Sequence, residues 1–238
     1  MRYQGGKSRI AKDIATQLGG HRENLTLVSL FCGACNIESK VEGYTRIICN
    51  DNQKYLIALF KALQNGYIPP DYVSEEDYKY IREHKDENPA LTGFVGFGCS
   101  FGGKWFGGYA RDAAHDNYAL RAKKSLERKM KTLMDVEFMC EDYRNVILPD
   151  NCIVYADPPY HGTTGYSGEK FDTQCFWEYM RKISESHIVY ISELKAPDDF
   201  KAMWQKKVTR TLDVNKNNQF SSTEKLYVHE KYCINNTK

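Results

Sequence analysis

Three apolar runs of strand length each stop at residues suited to ligand contact, and this repetition constrains the fold more than any other feature of the chain. Residues 25–31 run into Cys32-Gly33-Ala34-Cys35, residues 45–49 into Asn50-Asp51-Asn52, and residues 152–156 into Asp157-Pro158-Pro159-Tyr160. After the second run, Leu56, Leu59, Phe60 and Leu63 recur at helical spacing. Strands and a helix of these sizes predict a parallel α/β sheet. In open sheets of that kind ligands lie outside the carboxyl ends of the strands, where all three terminating segments fall.

The alternation is interrupted and then resumes. Residues 66–134 hold an acidic helical stretch at 74–85, a segment rich in glycine and aromatic rings at 93–109, and a basic helix at 116–133. Beyond them, residues 136–140, 152–156 and 187–192 read as strands and 172–185 as a helix. Residues 208–212 and 226–233 read as a closing antiparallel pair around a polar turn at 215–222. The expected organisation is a sheet domain made of residues 1–65 and 135–238, carrying an inserted, mainly helical unit at 66–134.

Composition excludes more than it identifies. At 42% hydrophobic and 27% charged, the 238 residues are those of an ordinary globular protein. No run approaches the roughly 20 apolar residues that span a bilayer. The start, Met1-Arg2-Tyr3-Gln4-Gly5-Gly6-Lys7, lacks an apolar signal segment, so a cytoplasmic, monomeric protein with no membrane partner is expected. Eight cysteines, several inside apolar runs, suit a reducing compartment. Cys32 and Cys35 form a C-x-x-C, but zinc would need a second pair or a histidine at short spacing, and none follows. No metal is therefore expected. The net charge of +2 is too small to imply a polyanionic partner, and that case rests on local distribution.

An acidic residue closing the second strand, Asp51, can accept both hydroxyls of a ribose, or else cap the following helix. The loop after the first strand is neither G-x-G-x-x-G nor a Walker sequence, so no pyrophosphate cradle is present. In Asp157-Pro158-Pro159-Tyr160 the prolines fix an extended stretch. The Asp157 carboxylate and the Pro158 carbonyl can then accept the two hydrogens of an exocyclic amine and favour its nucleophilic form. Tyr160 can stack on the base that carries it.

This tetrapeptide resembles the D-P-P-Y motif of amino-group DNA methyltransferases, and the chain is similar to the Dam-type (D12 class) N6-adenine family over nearly its whole length. Tyr3-Gln4-Gly5-Gly6-Lys7, Phe31-Cys32-Gly33 and Asn50-Asp51 match that family's opening, loop and second cofactor segments in the family's order. The resemblance implies a Rossmann-like sheet, S-adenosylmethionine as methyl donor and DNA as substrate, in a restriction-modification or phage-encoded orphan enzyme. It also implies donor contacts from Tyr3, Lys7, Phe31, Gly33, Asp51 and Asp157, with Asp142 and Tyr143 near the donor's adenine. Cys35 stands where the family often has a second glycine.

The inserted unit is expected to recognise the target. Six of the eleven residues from 121 to 131 are Arg or Lys, a stripe that is either a solvated helix face or a phosphate contact. Arg121, Lys124, Arg128 and Lys129 are the contacts expected from it. The glycine and aromatic segment is either a mobile loop, a loop packed by its own rings or a surface for bases, with Lys104, Trp105 and nearby Arg111 as readers. Tyr166 would close over an extruded adenine. The alternatives are an amino methyltransferase acting on RNA or protein, and a silent DNA-binding module on the same scaffold. Cytosine C5 methylation is excluded, because it needs a Pro-Cys nucleophile and no such dipeptide occurs.

Overall fold

A computed structural model of the chain describes residues 1–20, 22–111, 117–159, 171–211 and 219–233. Seven strands form one sheet: β1 Arg22–Ser29, β2 Tyr44–Asn50, β3 Glu137–Met139, β4 Cys152–Ala156, β5 Ile188–Glu193, β6 Phe200–Thr211 and β7 Gln219–His229. Their order is β3-β2-β1-β4-β5-β7-β6. The first five are parallel and β7 runs antiparallel to both β5 and β6. This is the Rossmann-like parallel α/β sheet with a closing antiparallel pair that the sequence predicts.

The continuous apolar runs follow from burial on both faces. Leu27 and Ile153 pack with Ile14 and Leu18 of α1 (Ala11–Leu18), whereas Val28 and Val154 pack with Phe176 and Met180 of α6 (Thr173–Ser184). Helix α1 has no counterpart in the sequence reading, although Ala11, Ile14, Ala15 and Leu18 carry helical spacing. The step from β1 to β2 contains a single 3₁₀ turn, Glu38–Lys40, rather than an α-helix. The closing hairpin is longer than expected: β6 begins at Phe200, and residues 219–222 of the expected turn belong to β7.

Helices α2 (Lys54–Gln64), α3 (Glu75–Glu83), α4 (Pro89–Gly98) and α5 (Tyr118–Leu133) complete the fold. Ser74 and Asp77 form a capping box that starts α3, while Asn88 and Asn117 cap α4 and α5. The glycine and aromatic segment is reassigned, since Gly93–Gly98 lie in a buried helix instead of a loop. A Cβ at Gly93 would meet the Tyr55 carbonyl oxygen at 2.1 Å, so glycine is what lets α4 approach α2. Phe94 and Phe97 are then fully buried, each contributing about 1.5–3 kcal/mol. They share a core with Leu56 and Phe60 of α2, Leu126 of α5 and Phe138 of β3, so the helices of residues 66–134 are joined to the sheet by a common interior.

Candidate active site

The carboxyl ends of β1, β2 and β4 open into one cleft of about 820 Å³. Tyr3, Lys7, Phe31, Gly33, Asp51, Asp142, Tyr143, Asp157, Pro158 and Pro159 all line it. Every cofactor-contact residue expected from the sequence is therefore brought to one place. Tyr160 and Tyr166 lie outside the described residues.

The strand ends are tied together by Asn50. Its Nδ2 donates to the Leu30 and Glu141 carbonyls at 3.1 and 3.0 Å, and its Oδ1 accepts from the Glu141 amide at 3.0 Å. The motif residue next to Asp51 is thus a stitch between the ends of three strands. Asp51 Oδ2 accepts from the Gly33 amide at 2.9 Å and Oδ1 from the Gln53 amide at 2.9 Å. The N-cap of α2 is Gln53, whose side chain accepts from the Tyr55 amide. Asp51 is therefore not the cap itself but braces it through the Gln53 amide, and each Asp51 oxygen keeps further acceptor capacity. Burial raises its pKa to about 6, against the lowering effect of those two amides.

Gly33 has φ of +48°, and a Cβ there would lie 2.9 Å from the Tyr3 ring. A side chain is excluded on both counts, which keeps this wall of the cleft at backbone level. Phe31 packs against Tyr143 and Phe171 at ring separations of 5.1 and 6.0 Å, giving the cleft an aromatic flank. Beside it, the Arg144 guanidinium holds Asp142 below the ordinary carboxylate range. Arg144 Nε approaches Asp142 Oδ1 at 2.8 Å.

Lys7 forms the charged centre of the site. Its ammonium lies 3.2 Å from Asp157 Oδ1 and 3.0 Å from Glu224 Oε2, with the Lys7 and Glu224 side chains each 1% exposed. Burial raises the Asp157 pKa to about 6, opposed by Lys7 and assisted by Glu224. Glu193, at the end of β5, is pushed up to about 7 mainly by burial. Glu38 reaches about 8 for the same reason, although Ser29 Oγ donates to its Oε1 at 2.6 Å.

Sequence reasoning missed Glu224, Glu193 and Glu38. Glu224 did carry a signal: it shares one face of β7 with buried Leu226 and Val228, and an acid on the apolar face of an alternating strand marks a buried partner. Glu38 lies in the irregular β1–β2 connection, where no periodicity exists to flag it.

The residues expected to meet nucleic acid separate into distinct environments. Arg121 and Arg128 line a groove of about 650 Å³ together with Arg2, Lys40 and Tyr118. Lys124 and Lys131 are exposed. Lys123 pairs with Asp71 at 2.7 Å. Lys129 is a correction: its ammonium turns inward to the Ala34 carbonyl and to Asn36 Oδ1, so its charge serves the loop after β1. Lys104 is exposed, whereas Arg111 pairs with Glu75. Trp105 stacks on Tyr55 at 5.4 Å and lines the cleft, so its ring is a wall of the site and not a free surface. Among the described residues no helix is long and apolar enough to cross a membrane.

Comparison with curated proteins by sequence returns no match. Solved structures with a similar path include the rRNA methyltransferase aviRa from Streptomyces viridochromogenes, 13% identical, TM-score 0.44, over 95% of this chain and 86% of that one. An rRNA methylase from Streptococcus thermophilus is 9% identical, TM-score 0.39, over 93% and 94%. A dimethyladenosine transferase from Plasmodium falciparum is 10% identical, TM-score 0.40, over 99% and 66%. Likenesses this remote carry no weight in assigning the chain. The model of the D12 class N6 adenine-specific DNA methyltransferases matches residues 3–94 and 106–233, which takes in the Tyr3–Lys7 arm, the Phe31 loop, Asp51 and Asp157. With those segments gathered at a single cleft, the chain belongs to the D12 class N6 adenine-specific DNA methyltransferase family.

Proposed function

We propose that the protein transfers a methyl group from S-adenosylmethionine to the N6 amino group of adenine in DNA. The observation that carries the reading is the Asp157-Lys7-Glu224 cluster, set at the end of β4 in the same cleft as Asp51 and Gly33. The residues fit the donor. Asp51 presents acceptor capacity suited to two ribose hydroxyls, the Gly33 backbone leaves room for close approach, and Phe31 and Tyr143 offer ring surface for an adenine. The buried Glu38 carboxyl at the cleft wall suits an ammonium group. When bound, S-adenosylmethionine supplies an electrophilic methyl group on sulfur.

The chain's own contribution is to make an amine nucleophilic. Asp157 accepts one amino hydrogen and the Pro158 carbonyl the other, which draws the nitrogen lone pair out of conjugation with the ring. Lys7 acts through Asp157, holding its carboxylate in place by charge and hydrogen bonding, and Glu224 anchors Lys7 from the opposite side. Interactions that strengthen as the nitrogen pyramidalises lower the barrier without tightening substrate binding. Tyr160 stacks on the extruded base, in keeping with its place in the motif.

Residues 66–134 serve target recognition in this reading. The groove of Arg2, Lys40, Arg121 and Arg128 takes phosphates, and Lys104, exposed near the cleft-lining Trp105, faces bases. The test is incubation of the purified chain with S-adenosylmethionine and either duplex DNA or RNA, followed by nucleoside mass spectrometry. N6-methyladenine in the DNA digest is the expected product. Methylation confined to RNA, or to cytosine, would overturn the assignment.

A further inference from the structure

We propose that Cys32, Cys35 and Cys49 form a binding site for a soft, monovalent d10 metal cation of the Cu(I) type, directly beneath the loop that follows β1. The C-x-x-C alone lacks a third ligand at short spacing, but the fold supplies one from the end of β2. The three sulfur atoms all lie within 4.8 Å of one another, and all three residues are buried. A trigonal site with metal–sulfur bonds of about 2.3 Å places its sulfurs about 4 Å apart, within reach of a small adjustment.

The choice of ion follows from the donor set. Among the described residues only these three thiols make up the group, whereas structural zinc takes four ligands. Thiolate-only, low-coordinate sites favour Cu(I). Three thiolates outweigh the charge of a monovalent ion, and Lys129, held against the Ala34 carbonyl within the same loop, supplies a countercharge that acts on Cys35. Cys35 has φ of 49°, a left-handed conformation uncommon outside glycine, so the loop holds this side chain at a backbone cost.

The protonation states agree with the geometry. Burial raises Cys32 and Cys49 well above an ordinary thiol. At Cys35 burial acts the same way, but hydrogen bonds from the other two thiols and the charge of Lys129 prevail and lower it well below the usual value. Binding forms three metal–sulfur bonds and releases the thiol protons to solvent, with no change of oxidation state. Entry is from the cleft, which Cys32 lines. Since the Cys32 amide donates to the Asn50 carbonyl at 2.8 Å and Asp51 follows, an ion here would stiffen the loop that contacts the donor.

The test uses the full chain, reduced and anaerobic, with the more accessible Cys140, Cys175 and Cys233 replaced by serine. Cu(I) is offered from a chromogenic competing chelator. One equivalent should be withdrawn, and Cys49→Ser should weaken the affinity by at least about 10-fold, the smallest effect seen when even an outer partner of a metal ligand is lost. Cys152→Ser, at a buried thiol outside the cluster, should leave it unchanged. X-ray absorption of the loaded protein should show three sulfur neighbours. No withdrawal of copper, equal affinities for the Cys49 and Cys152 variants, or fewer than three sulfurs would overturn the site. The readout is the metal itself, so the proposal stands or falls separately from methyl transfer.

Discussion

The cleft at the strand ends and the outer face of α5 both concentrate charge, but by opposite physical means. In the cleft, burial raises Asp51 and Asp157 to about 6, Glu193 to about 7 and Glu38 to about 8, and a single ammonium bridges two carboxyls. On α5, Arg121, Lys124, Arg128 and Lys131 are exposed, with Arg121 and Arg128 at the groove. Buried charges are interlocked, because desolvation makes each dependent on its partner. Exposed charges are screened and interchangeable, so they act nearly additively. One region should fail abruptly on single substitution and the other by degrees.

The sharpest way to break this contrast is Asp157→Ala. It should reduce single-turnover methyl transfer by about 10³-fold, the scale for losing one preorganised transition-state contact. Circular dichroism should be unchanged, since Lys7 keeps Glu224. Activity within a few fold of the parent would remove Asp157 from the chemistry. Lys7→Met is expected to cost about 3 kcal/mol in urea unfolding, because two buried carboxyls lose their shared cation. An unchanged midpoint would show that the pair contributes nothing net.

Asp51→Ala should weaken S-adenosylmethionine binding about 30-fold by calorimetry, taking roughly 2 kcal/mol as the worth of hydrogen bonds to a charged group. Asp51→Asn keeps an acceptor for the Gln53 amide and so separates bracing of α2 from donor binding. Equal affinities for the two variants and the parent would leave Asp51 a structural brace alone.

The cleft carboxyls also set a pH dependence. Their folded pKa values lie above those of free side chains, so the native state holds more protons than the unfolded one between about pH 4 and 8. Stability should therefore fall as pH rises from 6 to 8, read as a drop in the urea midpoint. Methyl transfer should move the other way, rising with pH through about 6 as Asp157 ionises. A midpoint that climbs from pH 6 to 8 would show that these groups do not govern stability.

The smallest effects belong to α5. Arg121→Gln and Arg128→Gln should each lower the salt slope of DNA binding by about one unit, without changing which adenines are methylated. Lys129→Met should leave that slope alone and weaken donor binding instead. A salt slope lost at Lys129 and retained at Arg128 would invert the assignment of the two faces.

Much of this was legible in the chain itself. Apolar runs ending at Gly33, Asp51 and Asp157 determined both the parallel sheet and the side on which the cleft opens, because backbone geometry puts every such terminus at one edge. The acidic stretch from 74 and the basic one from 116 were legible as helices, whose Ser74 and Asn117 caps are local interactions. What only the tertiary structure decided are the meetings between residues distant in sequence. Glu224 reaches Lys7 across 217 positions, and Lys129 reaches Asn36 across 93. Cys49 joins Cys32 and Cys35 through the pairing of β1 with β2, and Gly93 turned an apparent loop into a helix by admitting the Tyr55 backbone. Periodicity records which face of an element is buried. It does not record what that face is buried against, and burial beside a particular partner is what sets the charge, proton affinity and role of a side chain.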